Sequence, residues 1–146
     1  MNNFLTSNFS LENLQKQNEI SKILETNEKA LNYGLTLTNA QAVEIIETKN
    51  YILKSYGRIE FGTSIVNKII DAFCTSPYIN QNEYAKIVNE LTETFYYIKN
   101  ETLDEVGDDE LIELMQNCFN NSCQGSIELL QGRDLEIFAR NIRYNL

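Results

Sequence analysis

The sequence predicts an all-α fold, and three observations predict it. Apolar residues recur at helical spacing through long stretches of the chain. Of the six glycines, Gly34, Gly57, Gly62, Gly107 and Gly125 fall between those stretches, as does the single proline, Pro77. Strand-like alternation is confined to two short runs, Leu35-Thr36-Leu37 and Ile59-Glu60-Phe61. The expected architecture is a compact single-domain bundle of five to six amphipathic helices over residues 1–146, with at most a minor two-strand pairing of those runs. A chain of 146 residues can bury roughly 68–70% of its unfolded surface, so it needs neither disulfide nor metal to hold a core.

The elements follow in order. Residues 1–9 are expected to form a loosely ordered N-terminal segment. From Ser10 to Leu31, Leu11, Leu14, Ile20, Ile23, Leu24 and Leu31 fit a helical face that is either one helix or two short ones. Thr38 and Gln41 form a capping box for the second helix, with Leu37 in the staple position. Its stripe is Ala42, Ile45, Ile46, Ile52, Leu53 and Tyr56, and Gly57 suits the left-handed residue that closes it. The third helix runs from near Thr63 to Phe73 on Ile65, Val66, Ile69, Ile70 and Phe73.

Asn80 and Glu83 repeat the capping signature before the fourth helix, whose face is Tyr84, Ile87, Val88, Leu91, Phe95 and Ile98. Asp108 is expected to cap the fifth, with Asp109 and Glu110 in its positive first turn and Leu111, Leu114, Met115, Cys118 and Phe119 inward. The sixth begins at Ser126 and carries Ile127, Leu130, Leu135, Phe138 and Ile142. Gly132 bends or divides it, at a cost of about 1 kcal/mol relative to Ala.

Composition narrows the function classes. There is no His, so Ser–His and Cys–His nucleophile pairs, imidazole bases and His-ligated metals are absent. The net charge of −9 disfavours binding to nucleic acid, because phosphate recognition is largely electrostatic and the twelve cations are scattered. No run approaches the ~20 apolar residues of a membrane span, and the N-terminal residues lack a charged region followed by an apolar one. With three cysteines and no export signal, a cytoplasmic location is expected.

Motifs for chemistry are scarce. Cys118 and Cys123 have four residues between them, not the two of a redox or zinc half-site, and with Cys74 they cannot make a structural zinc tetrad. Cys118 falls on an apolar stripe; Cys123 lies in a turn and is the more reactive candidate thiol, with no neighbouring base apparent. Neither the acidic run 104–110 nor the 120–131 stretch matches an EF-hand loop, and no Gly-rich phosphate loop occurs. No metal and no cofactor is expected. The candidate contact residues are Arg58, Glu60, Tyr96, Tyr97, Arg133 and Arg140. Of Tyr96 and Tyr97, at least one should stand outside the core as a large contact with a polar tip. Arg133 and Arg140 are seven apart on the last helix, a basic docking strip unless it is simply a solvated face. Arg58 and Glu60 flank a helix end and a helix start. Each is worth about 0.3–1 kcal/mol against the local dipole, so exchanging them should cost roughly 1–2 kcal/mol.

The segments Tyr33-Gly34-Leu35-Thr36-Leu37-Thr38, Gly57-Arg58-Ile59-Glu60-Phe61-Gly62, Asp108-Asp109-Glu110-Leu111-Ile112 and Gly125-Ser126-Ile127-Glu128-Leu129-Leu130-Gln131-Gly132-Arg133 resemble an uncharacterised family, a domain of unknown function, of small proteins from clostridia-like Gram-positive bacteria. The resemblance runs from about Gly34 to Arg143 and implies a cytoplasmic bacterial protein, with no catalytic, cofactor or substrate residue carried over. The expected function is a non-enzymatic module that binds another protein or itself. The alternative is a ligand-sensing domain whose pocket is lined by Tyr and closed by Arg58 or Arg133.

Overall fold

A computed structural model describes residues 3–60 and 64–144. Its helices are α1 (Asn3–Glu25), α2 (Asn39–Ser55), α3 (Ile65–Phe73), α4 (Tyr84–Glu101), α5 (Asp108–Asn120) and α6 (Leu135–Tyr144). Single turns at Asn27–Ala30, Leu31–Tyr33, Gln81–Glu83 and Ile127–Leu129 connect them, and a wide turn, Leu130–Asp134, leads into α6. No strand occurs among the described residues, and no helix among them is long and apolar enough to cross a membrane.

Helix α1 takes in most of the stretch expected to precede it loosely, since neither Gly nor Pro interrupts residues 3–25. Ile20 and Ile23 are buried, whereas Leu11, Leu14 and Leu31, expected on the same inward face, are exposed. The stripes of α3 and α4 are placed as expected. All five expected residues of α3 and all six of α4 are buried. Helix α4 is the centre of the bundle, with α2, α3 and α6 packed against it; α1 lies on α2 and α3, and α5 lies on α3. Phe73 and Phe119 tie α3 to α5 edge-to-face at 5.5 Å, a geometry their ring quadrupoles favour.

The expected pairing of Leu35–Leu37 with Ile59–Phe61 is not formed at the described positions; Phe61, Gly62 and Thr63 lie outside them. Two amide side chains supply what a second strand would. Asn27 accepts from the Leu37 amide at 2.8 Å and donates to its carbonyl at 3.0 Å. Gln81 does the same for Thr36, at 2.8 and 3.0 Å. The extended segment therefore keeps its backbone satisfied inside a helical protein.

The capping box at Thr38 and Gln41 forms as expected. At α5, the N-cap is Gly107, not Asp108, whose carboxylate turns instead to Lys99 at 2.8 Å. At α3, the Ser64 hydroxyl makes no capping bond. The Glu60 carboxylate takes that place, accepting from the Ile65 amide at 2.7 Å.

Candidate functional site

Helices α2 and α4 bring their C-terminal ends together, and both close in the same way. The Arg58 amide donates to the Leu53 carbonyl at 2.8 Å after left-handed Gly57 (φ 63°), and the Asp104 amide donates to the Lys99 carbonyl at 2.9 Å after left-handed Leu103 (φ 51°). Each motif throws the residue after its left-handed turn back across the helix end. Arg58 and Asp104 thereby face each other and pair at 2.5 and 3.2 Å, with Arg58 also donating to Asn100 Oδ1 at 2.8 Å. This pairing raises the Arg58 pKa and lowers that of Asp104, in both cases chiefly through the shared hydrogen bonds.

Two helix ends converging here concentrate negative dipole charge, which Arg58 and Lys99, the latter in the last turn of α4, meet. Lys99 is buried and donates to the Val106 carbonyl at 2.5 Å. Lys49, only 3% exposed, pairs with Glu19 at 3.2 Å and Glu60 at 3.4 Å. Glu60 also accepts from the Tyr96 hydroxyl at 3.3 Å. Tyr96 is 3% exposed, packs edge-to-face on Phe95 at 5.1 Å and lies under the Arg58 guanidinium, so it is no surface contact. Burial, then the nearby Glu60 charge, pushes its phenol pKa up. Arg58, Glu60 and Tyr96 are thus brought together, in a structural junction. Sequence reasoning missed Lys49, although a lysine in step with Ala42, Ile45 and Ile52 was a visible signal.

The second polar cluster joins the 121–125 turn to the wide turn before α6. The Asp134 carboxylate accepts from the Ser122 hydroxyl, from Arg133 Nε at 2.7 Å and from the Cys123 thiol at 3.4 Å. The Ser122 and Arg133 bonds hold Asp134 down at about 2. Burial and that carboxylate push the Cys118 thiol up to about 11 and raise Cys123 as well. Cys123, the candidate reactive thiol, is buried. A thiol so held, beside so weak a base, stays protonated at neutral pH and is a poor nucleophile. Among the described residues, no three His, Cys, Asp or Glu side chains converge as metal ligands.

Arg133 also donates to the Ser122 carbonyl at 2.9 Å, whereas Arg140 lies 3.9 Å from Glu136. The two arginines have separate carboxylate partners, which neutralises the expected basic strip.

The remaining candidate, Tyr97, is 43% exposed and opens onto a groove along α4. A cavity of about 320 Å³ is lined by Tyr56, Glu93, Thr94, Tyr97, Ile98 and Gln131. It adjoins one of about 450 Å³ between α4 and the 125–131 turns, and one of about 240 Å³ along α2 that includes Tyr51. Glu93 lines all three. Tyr51 and Tyr56 are 73% and 40% exposed, although Tyr56 had been placed on the inward stripe of its helix. Neither Arg58 nor Arg133 closes this groove; both are engaged as described above. Gln131 fixes its floor by donating to Thr94 Oγ1 at 2.6 Å.

No curated protein and no solved structure matches the chain. Over residues 22–146 it matches a family described as a family of unknown function, DUF6323, and to that family the chain belongs.

Proposed function

We propose that this protein is a non-enzymatic interaction module whose contact surface is the groove along α4. The carrying observation is the convergence of Tyr51, Tyr56 and Tyr97 on one open groove beside the central helix. Tyrosine suits such a surface because its ring gives large contact area while its hydroxyl tolerates water. Placement of the module in the cytoplasm of a clostridia-like Gram-positive bacterium is supported by three unpaired cysteines and an Asn-, Ile- and Lys-rich composition. A pull-down from the native cell with the parent chain and with Tyr51→Ala/Tyr97→Ala tests the surface. A specific partner retained by the parent and lost by the double variant supports it; equal capture by both overturns it.

A second reading, a small-molecule domain, is favoured by cavity size. Volumes of about 320 and 450 Å³, with Glu93, Thr94 and Gln131 converging, fall in the range of ligand pockets. Thermal-shift screening of cell metabolites tests it, since a native-state ligand at a hundredfold excess over Kd adds about 2.7 kcal/mol.

A further inference from the structure

Resting on the interaction reading, we propose that the α4 groove takes a cationic segment of another protein, a stretch carrying Lys or Arg next to an apolar or aromatic residue. The three cavities of the groove adjoin one another: Tyr56 and Gln131 each line two of them, and Glu93 lines all three. Along α4 the groove runs from Lys86 to Ile98, roughly 18 Å at the helical rise. That length accommodates about five residues of extended chain or about three turns of helix.

Its chemistry is two-sided. The α2 end and the Tyr97 end present aromatic rings and Ile52 and Ile98. The middle and the other end present Glu83, Glu90, Glu93 and Glu128 against a single cation, Lys86, which sits 3.7 Å from Glu90. Among the described residues, Glu83, Glu93 and Glu128 have no basic partner of their own. A bound Lys or Arg would meet these carboxylates, and its stem or an adjacent ring would lie on the tyrosines. The acidic half steers the encounter and the apolar half holds it.

Charge also selects among occupants. A second copy of a chain at −9 would bring two acidic surfaces together, and nucleic acid would be repelled in the same way. A foreign basic segment is the occupant that both halves of the groove fit.

The test is to pan a random dodecapeptide library against the intact chain. Enriched peptides are then titrated by fluorescence anisotropy against the parent, Glu93→Lys, Tyr97→Ala and, as a control in a separate cavity, Glu113→Lys. All three positions are exposed, and thermal melts verify that each variant is folded. The expected result is enrichment of net-positive peptides bearing an aromatic or large aliphatic residue. Glu93→Lys and Tyr97→Ala should each weaken binding at least tenfold, Glu113→Lys less than twofold, and rising salt should lower affinity. Enrichment of neutral or acidic peptides, or none, overturns the proposal. Loss on Tyr97→Ala with no change on Glu93→Lys overturns the cationic partner but leaves the interaction surface standing; insensitivity to both overturns both. Displacement of the peptide by spermine at equal concentration assigns the groove to a small cation. A concentration-dependent dimer abolished by Tyr97→Ala assigns it to a second copy. Either result overturns the proposal.

Discussion

Replacing Glu60 tests whether the junction beneath Arg58 is structural. In Glu60→Ala three interactions fail together. The Ile65 amide at the start of α3 loses its acceptor, a cap loss of about 1 kcal/mol. The Tyr96 hydroxyl is left unpaired in a buried position, at about 1–3 kcal/mol. Lys49 keeps Glu19 but loses one of its two carboxylates, about 1 kcal/mol more when the remaining pair is partly solvated. The expected loss is about 3–5 kcal/mol, or about 10–16 °C in Tm for a domain of this size. Glu60→Gln separates the contributions. Its amide oxygen still accepts from Ile65 and Tyr96, so only the charge facing Lys49 is lost, at about 1–2 kcal/mol. Urea denaturation followed by circular dichroism reads both variants. A loss below about 1 kcal/mol for Glu60→Ala would refute the reasoning, as would Gln and Ala variants of equal stability. Exchanging Arg58 and Glu60 should then cost more than the roughly 1–2 kcal/mol that helix dipoles alone predict. The exchange sets an arginine against buried Lys49 and a glutamate against Asp104.

Gly125→Ala should destabilise by about 2–4 kcal/mol, combining a left-handed backbone with overpacking. The residue has φ 82°, and an added Cβ would lie 2.4 Å from the Tyr78 Cβ; a melt within 2 °C of the parent contradicts this. Leu103→Gly should stabilise by up to about 1 kcal/mol, because exposed Leu103 holds φ 51° that glycine adopts freely, as chemical denaturation would show. Native Cys118 and Cys123 should react with iodoacetamide at pH 7 far more slowly than in urea, since both thiols are held protonated; rapid labelling by mass spectrometry would contradict it. Asp134 has a lowered folded pKa, so its contribution is full above the unfolded value near 4 and disappears as pH falls towards about 2. The stability gap between the parent and Asp134→Asn should therefore narrow only within that window in acid titrations.

The periodic stripes of α3 and α4 were legible because burial on one face leaves a 3.6-residue trace in the chain itself. Thr38 with Gln41 was legible because both partners of a capping box lie within three residues. The exposure of Leu11 and Leu14 was not, since apolar residues at helical spacing leave the same local pattern whether or not another element covers them. Nor was the strand-like run at Leu35–Leu37, whose partners, Asn27 and Gln81, are side chains far away in sequence. For the candidate site, Tyr97 could be named, but Glu93 and Gln131 could not. Nothing local distinguishes one surface glutamate among 21 acidic residues until the fold sets it beside three tyrosines.

The wide turn at Leu130–Asp134 has a rotational consequence. In a regular helix, Leu135 would point about 140° away from Leu130, yet both side chains are fully buried. The turn resolves this by pairing the Leu135 amide with the Leu130 carbonyl five residues back, which absorbs one residue's worth of winding. Residues before and after it, Leu130 on one side and Leu135 and Ala139 on the other, therefore keep separate angular registers while facing one interior. The segment works as a phase shifter. Deleting Gly132 would tidy the hydrogen-bond ladder and at the same stroke rotate all of α6 by about 100°, turning Leu135 and Ala139 away from the core they fill.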